Sequence, residues 1–363
     1  MATGTAASRL RHPSSVLTVA FPALSVRRAH APRPTNGILL NQINTAISKL
    51  TFCIIYVLLC LGRVSAKGVH HYVFFNRDRE RISEASFLQT KFEGAQLKYS
   101  WRELEPQKDE YNFGDIQHDL AFLRSKGKRL FIQIQDASFD INIRPFPRYL
   151  LNDPEYHGGA DKQYGDDNVP YGWMARRWDK AVQERFHRLL LALGREFDGR
   201  IEGINLAETA IDLGTTERLW PKGFTPEIYC DAIIANLTVL KRAFPRSVTL
   251  QYANFMPGEK RYLERVYQAA KELKVGLGGP DLLPYKFLQM ENSYPLIRQF
   301  AGSVPTGIAV QDGNYEHLNP KTGQPVTIPE LVSFATGYLK VDYIFWCTQE
   351  PYYSQKVLPV LGH

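Results

Sequence analysis

The chain has 363 residues, of which 44% are hydrophobic and 22% are charged, and this composition is typical of a globular protein with a sizeable core. Its formal net charge is +7, yet residues 1–66 contain seven Lys and Arg and no Asp or Glu, so residues 67–363 carry equal numbers of basic and acidic residues. This balance leaves no electrostatic footprint for DNA, RNA or an anionic membrane, and no nucleic-acid partner is expected.

The N-terminal segment carries the signals of an exported protein. Lys49 precedes an apolar run over residues 50–61, and the small residues Val64-Ser65-Ala66 follow it. These features predict a secretory signal peptide that ends near Ala66, and hence a secreted or periplasmic protein with no stable membrane insertion after cleavage. The alternative is an uncleaved membrane anchor, although the run is too short to span a bilayer core of about 30 Å as a helix.

Residues 1–45 precede this leader and are rich in Ala, Arg, Ser and Pro. We interpret them either as a transit-like extension or as the product of a translation start placed too far upstream, and disorder is expected there. Beyond residue 66 only Cys230 and Cys347 remain. Two cysteines so far apart in sequence indicate neither a disulfide framework nor a metal site, and both are expected to be buried.

Short runs rich in β-branched and aromatic residues recur along residues 67–363. The eight predicted strands are His70–Asn76, Gly94–Trp101, Arg129–Asp136, Ile201–Glu208, Val248–Asn254, Val275–Asp281, Thr306–Asp312 and Tyr343–Thr348. The amphipathic segments predicted to be helices are Asp115–Lys126, Ala181–Phe197, Pro226–Phe244, Gly258–Leu273 and Ile328–Leu339. Strands that alternate with helices pair in parallel through right-handed crossovers. Eight such units predict an α/β domain, a single (β/α)8 TIM barrel over residues 67–363.

One connection is much longer than the others. The segment Ala137–Arg177, between the third strand and its helix, is rich in Asp, Gly, Pro and Tyr and has little periodicity. Long loops in compact domains are usually functional, and the loops after the strands surround the active site of this fold. We expect a lid or a wall of the substrate site, the alternative being a surface insertion that does not contact ligand.

Polar side chains gather at the predicted C-terminal ends of the strands, where barrels place their chemistry. Carboxylates follow the fourth, seventh and eighth strands at Glu208, Asp312 and Glu350. Aromatic rings stack on the apolar faces of sugars and polar groups bind their hydroxyls, so the substrate-binding candidates are Trp101, Arg102, Gln135, Asn205, Tyr252, Asn254, Gln311 and Trp346. Splitting a glycosidic bond needs two carboxyl groups. The pattern predicts a glycoside hydrolase with a carbohydrate substrate and no cofactor or metal.

One passage after the second strand is similar to a known group of enzymes. It reads Trp101-Arg102-Glu103-Leu104-Glu105-Pro106 and continues to Glu110-Tyr111-Asn112-Phe113. It resembles the corresponding passage of clan A glycoside hydrolases such as the family 42 β-galactosidases. The resemblance implies an acid/base Glu at the end of strand four, a role that Glu208 fits, and a nucleophilic Glu at the end of strand seven.

The sequence departs from that family pattern at two places. Ala207 directly precedes Glu208 where the clan has Asn, and Asn205 lies three residues before the Glu. No Glu stands at the end of strand seven, where Gln311 occupies the usual slot and Asp312 follows. The second carboxylate is therefore Asp312, or Glu350 after strand eight, or it is absent and the protein is impaired or repurposed.

Two other functions and several structural roles remain open from the sequence. The protein could be a barrel that binds saccharide without cleaving it, or a metal-dependent barrel hydrolase. His70 and His71 open the first strand, but neighbours on a strand face opposite sides, so both cannot bind one metal. Trp346, Trp101 and Tyr252 could each belong to the core. Asp281 either lines the pocket or forms a turn.

Overall fold

The computed structural model describes residues 68–363, so the predicted signal peptide and the segment before it lie outside the described residues. Eight parallel strands close into a barrel, namely β1 (His70–Phe74), β2 (Gly94–Ser100), β3 (Arg129–Gln135), β7 (Gly203–Leu206), β8 (Val248–Tyr252), β9 (Gly276–Gly279), β10 (Thr306–Val310) and β11 (Tyr343–Cys347). Each overlaps one predicted strand. The closed parallel barrel with its surrounding helices is the predicted (β/α)8 architecture.

The first and last strands pair with each other and close the ring, with His70 opposite Tyr343. Next to β11 in the ring, β10 and its neighbour β9 approach unusually closely. A Cβ atom at Gly278 would lie 1.8 Å from the backbone oxygen of Gly307, its register partner. Only glycine allows this approach, so these glycines set the local geometry of the wall.

Aromatic side chains fill the barrel interior below the C-terminal ends of the strands. Tyr72, Phe131, Tyr343 and Phe345 are buried and contact one another, with the rings of Phe131 and Phe345 5.0 Å apart in an edge-to-face arrangement. Such a packed interior is a core and not a pore. Open space near the axis therefore lies toward the C-terminal ends.

The longer helices around the barrel are Gly114–Ser125, Lys180–Phe197, Pro226–Ala243, Lys260–Leu273 and Ser293–Phe300. Shorter helices are Ala85–Leu88, Trp101–Leu104, Tyr149–Asn152, Phe287–Glu291, Ile328–Ser333 and Leu358–Leu361. The predicted helix over 328–339 is α-helical only to Ser333 and continues as a wider π-helical turn, Phe334–Leu339. Within residues 68–363, the helices are too short or too polar to cross a membrane.

The helix Lys180–Phe197 shows why these segments fold as they do. The Asp179 side chain accepts hydrogen bonds from the backbone N–H groups of Ala181 and Val182 and so caps the first turn. Leu189 and Leu193 lie one turn apart and are fully buried against the barrel. The cap and the apolar stripe together fix where this helix begins and which face it buries.

The long segment after β3 contains more regular structure than its sequence indicates. Its strands β4 (Ala137–Ser138), β5 (Ala160–Tyr164) and β6 (Pro170–Ala175) form a small antiparallel sheet in the order β4, β6, β5. The Gln163 side chain of β5 donates a hydrogen bond to the backbone oxygen of Ser138 in β4, 3.0 Å away, and so links the two outer strands of this sheet. The short strands explain why no clear periodicity was visible.

Candidate active site

A small pocket of about 80 Å³ lies at the C-terminal ends of the barrel strands, and we call it the central pocket. Four of the predicted site residues line it: Gln135 from β3, Glu208 after β7, Tyr252 from β8 and Gln311 after β10. Phe139 from the start of the long segment also borders it, so that segment forms part of the wall. The fold thus brings residues far apart in sequence to one place, as barrels do.

Glu208 is the most unusual acid of this pocket. The pKa of its carboxyl group is raised from 4.5 to about 7, mainly by burial and in addition by the negative charge of Asp281. Asn254 Nδ2 donates a 2.6 Å hydrogen bond to Glu208 Oε2 and works in the opposite direction, as do the positive charges of Lys98 and Arg177. The net effect is a carboxylic acid that can hold its proton near neutral pH and donate it.

A buried ion pair positions the backbone that carries Glu208. Both prongs of the Arg177 guanidinium donate to Asp136, at 2.7 Å each. The same guanidinium donates to the backbone oxygen of Glu208 at 2.8 Å and to the Tyr229 hydroxyl at 2.7 Å. Since Arg177 ends the long segment, Asp136 follows β3 and Glu208 follows β7, this contact ties three parts of the pocket rim together.

Lys98 is a pocket residue that sequence reasoning missed. It occupies β2, its ammonium lies 5.0 Å from the centroid of the Phe74 ring, and within residues 68–363 it has no carboxylate within 4 Å. Its pKa is lowered to about 8, because the effects of burial and of the charge of Arg77 outweigh those of Glu208 and Asp312, which act in the opposite direction. Lys98 is the one charged residue of the strand Gly94–Ser100, and this was the available signal in the sequence.

The two predicted partners of Glu208 do not form the pocket wall. Asp312 is exposed just after β10, where its charge acts on Lys98 but where it does not line the pocket. Glu350 is exposed after β11, and its Oε2 accepts a 2.6 Å hydrogen bond from the Ser354 hydroxyl. Both residues lie at the rim of the pocket because they come after the last residues of β10 and β11.

A different carboxylate acts on Glu208. Asp281 follows β9, its charge contributes to the raised pKa of Glu208, and burial raises its own pKa above the usual value. Asn314 Nδ2 donates a 3.0 Å hydrogen bond to Asp281 Oδ1 and holds the carboxylate in place. The sequence placed Asp281 at a strand end, but the Gly-Gly-Pro before it equally indicated a turn.

Two predicted aromatic platforms lie away from the pocket. Trp346 is 0% exposed and its indole N–H donates to His71 Nδ1 at 3.0 Å. Trp101 is 1% exposed, and its indole N–H donates to Glu105 Oε2 at 2.8 Å. Neither ring has a free face on which a sugar could stack, so both are core residues, and Trp101 with Glu105 gives the family-like passage a structural role.

Two predicted polar ligands are also placed differently from the expectation. Asn205 faces into the barrel opposite Gln133 in register but is fully buried beneath the pocket, and neither amide atom has a hydrogen-bond partner among the described residues. Arg102 lies outside the central pocket in a neighbouring groove. Asn205 differs from Gln135 in its depth along the strand, and Arg102 lies in the helix that follows β2, neither of which the sequence specifies directly.

The histidine pair of β1 lies apart from the pocket. His70 Nδ1 is 2.7 Å from Glu93 Oε1, and His71 contacts Trp346. Within residues 68–363, no cluster of three or more His, Cys, Asp or Glu side chains is arranged to hold a metal ion.

The chain matches no protein-family model and no curated protein. Among solved structures, it is similar to xylanase 10B from Thermotoga petrophila RKU-1, with 15% identity over 78% of this chain and 86% of that one and a TM-score of 0.43. It is also similar to a β-galactosidase from the haloarchaeon Halorubrum lacusprofundi, with 10% identity over 77% and 52% of the two chains and a TM-score of 0.49. At these low identities, the likeness to a xylanase and a β-galactosidase is one of fold.

Proposed function

We propose that this protein is a glycoside hydrolase that cleaves an oligo- or polysaccharide, with Glu208 as the general acid. The observation that carries the proposal is the carboxyl group of Glu208, which lines a pocket at the barrel mouth with a pKa of about 7. A protonated carboxyl group can give its proton to the glycosidic oxygen as the bond to the sugar breaks. Tyr252, Gln135 and Gln311 line the same pocket and would contact the sugar.

In this proposal Asp281 supplies the second, ionised carboxylate. It is the acid whose charge acts on Glu208, and its Oδ1 is held by Asn314. Two carboxyl groups with different environments can take the two different roles that glycoside hydrolysis needs. Asp312 and Glu350, which the sequence favoured, stay as comparison positions on the rim.

The experiment is a screen of nitrophenyl glycosides and oligosaccharides with the wild type and Glu208→Gln. We expect the replacement to lower kcat/KM by at least about 100-fold, because general acid catalysis contributes about 10²–10⁴-fold. Glu264→Gln, at an exposed position of the helix Lys260–Leu273, is the matched control and should keep full activity. Equal turnover by the wild type and Glu208→Gln would remove the acid assignment.

The second carboxylate is tested in the same assay with Asp281→Asn, Asp312→Asn and Glu350→Gln. We expect the first to lose activity as Glu208→Gln does, and the other two to retain most of theirs. A loss confined to Asp312→Asn would move the role back to the end of β10. In the wild type, kcat/KM should fall as the pH rises above about 7, because the acid then loses its proton.

A barrel that binds saccharide without cleaving it is the second candidate. It is favoured by one observation, namely that Glu208 is the one carboxylate among the described residues that line the central pocket, since Asp281, Asp312 and Glu350 do not line it. Its signature is binding of an oligosaccharide by the wild type, measured by calorimetry, with no turnover of any glycoside. In that case Gln311→Ala should weaken oligosaccharide binding, and Asp281→Asn, like the wild type, should show no turnover.

A further inference from the structure

Three arginines converge on a groove beside the central pocket. Arg102 follows β2, while Arg144 and Arg148 belong to the first half of the long segment. All three, with Asn142, line two adjoining hollows of about 480 and 670 Å³. We call the surface formed by these four residues the arginine groove.

The arginines of the groove have no acidic partner. Among residues 68–363, none of the three has a carboxylate within 4 Å, although many other arginines of the chain do. Glu103 also lines the groove, but its Oε2 accepts a 2.8 Å hydrogen bond from the backbone N–H of Ser100. Partial burial and the two neighbouring guanidinium groups lower the pKa of Arg102. Like charges placed together in this way repel one another until an anion joins them.

The groove is also held in shape before any ligand arrives. The guanidinium carbon of Arg144 lies 4.6 Å from the centroid of the Trp173 ring, whose indole N–H donates to the Ile141 backbone at 2.8 Å. The backbone N–H of Arg102 donates to the Pro145 oxygen at 2.9 Å and joins the two chain segments. A planar guanidinium that is already oriented loses less freedom when it binds an anion.

The arginine groove continues toward the central pocket. Arg77 lines the groove, and its Nε donates a 3.1 Å hydrogen bond to the side-chain oxygen of Gln135, which lines the pocket. A chain of sugars could therefore reach from Glu208 into the groove without leaving the protein surface.

We propose that the arginine groove binds a negatively charged group of the saccharide, so that the substrate is an acidic saccharide bearing carboxylate or sulfate groups. Guanidinium forks match the planar or tetrahedral oxygens of such groups and form two parallel hydrogen bonds with them. This inference rests on the proposed function in one respect, namely that a single saccharide occupies both the central pocket and the arginine groove.

The test measures binding by calorimetry in the Glu208→Gln protein, where hydrolysis does not interfere, and repeats it in the wild type. The probes are tri-galacturonate, its fully methyl-esterified form, a sulfated trisaccharide of neutral sugars and sodium sulfate. We expect either tri-galacturonate or the sulfated trisaccharide to bind at least about tenfold more tightly than the methyl ester. Which charged probe shows this gain identifies the group, and sodium sulfate shows whether the anion alone is enough.

Variants then locate the effect. Arg144→Gln/Arg148→Gln should weaken binding of the charged trisaccharide about tenfold and leave the methyl ester unchanged. Arg242→Gln removes one charge from an exposed position near the end of the helix Pro226–Ala243 and should change neither. Higher salt should weaken the charged complex alone.

Equal affinity for the charged and esterified trisaccharides, including no binding of either, overturns the proposal. So does an unchanged affinity in the double variant. Failure of the proposed function has a different signature, because wild type and Glu208→Gln would then turn over glycosides equally, or not at all, while charge-dependent binding persisted.

Discussion

Four arginines lie on the segment 137–177, and their surroundings divide them into two pairs. Arg176 and Arg177, at its end, each hold a carboxylate with two nitrogen atoms. Arg144 and Arg148, in its first half, have no carboxylate within 4 Å among residues 68–363. The same residue type therefore fixes the fold at one end of the segment and leaves charge without a partner at the other. A partner, more than exposure alone, separates a structural arginine from one that can meet a ligand.

The largest effect on stability is expected when one of the paired arginines, Arg177, loses its carboxylate contact. Arg177→Met leaves the buried carboxylate of Asp136 without its partner and frees the backbone of Glu208. Removing one member of a buried ion pair costs about 3–5 kcal/mol, so we expect the free energy of unfolding to fall by that amount in urea. Arg176→Met, whose pair with Asp161 is partly exposed, is the matched control and should cost no more than about 1 kcal/mol.

A double variant sharpens the result. Arg177→Met/Asp136→Leu removes both charges, and much of the lost stability should return because no charge then stays buried alone. If Arg177→Met alone costs less than about 1 kcal/mol, the contact with Asp136 does not hold the rim, and the contrast within the segment loses its basis.

The architecture was predictable from the sequence because each strand has a recognisable local residue pattern. Runs such as Tyr343–Cys347 are rich in aromatic and β-branched residues, and the helices between them carry apolar stripes, so the number and order of elements could be read directly. The end of β7 was also identifiable, since a polar residue after the buried run Gly203–Leu206 marks the barrel mouth. On this basis the sequence located Glu208.

The composition of the site was less predictable, because it depends on which side of each strand a residue faces. Trp346 was expected beneath a sugar, but it lies one position from Phe345 and faces the other way, toward His71. A shift of one residue reverses the assignment. Lys98 was overlooked, and Asp281 was left open between a pocket residue and a turn, for another reason, namely that their roles come from neighbours supplied by other strands.

Glu208 provides the second prediction, because it too is a group whose charge is poorly compensated. Its pKa is about 7 in the folded protein and near 4.5 in the unfolded chain, so the folded state holds the proton more tightly. Stability should therefore be greatest below about pH 4.5 as far as this group is concerned, and should be lost as the pH rises toward 7. The loss is at most about 3 kcal/mol.

The measurement is urea unfolding of the wild type and Glu208→Gln between pH 5 and 8. The difference in stability between the variant and the wild type should rise with pH and level off above about pH 7. Glu264→Gln, an exposed substitution, should give a pH-independent difference. A constant difference for Glu208→Gln as well would mean that its carboxyl group titrates as it does in the unfolded chain.

The smallest effect on stability is expected for the arginines that have no carboxylate partner. Arg148→Gln removes one of three neighbouring positive charges, so we expect the free energy of unfolding to stay the same or to rise by up to about 0.5 kcal/mol. The gain should shrink at high salt, because screening already weakens the repulsion. Arg188→Gln is the counterpart, since Arg188 is exposed but paired with Glu184 at 2.6 Å, and its loss should cost a few tenths of a kcal/mol. If Arg148→Gln raises the free energy of unfolding and Arg188→Gln lowers it, the arginine groove keeps its charges at a cost to stability, as binding surfaces do. If Arg148→Gln instead lowers the free energy of unfolding by more than about 1 kcal/mol, Arg148 is part of the structural framework.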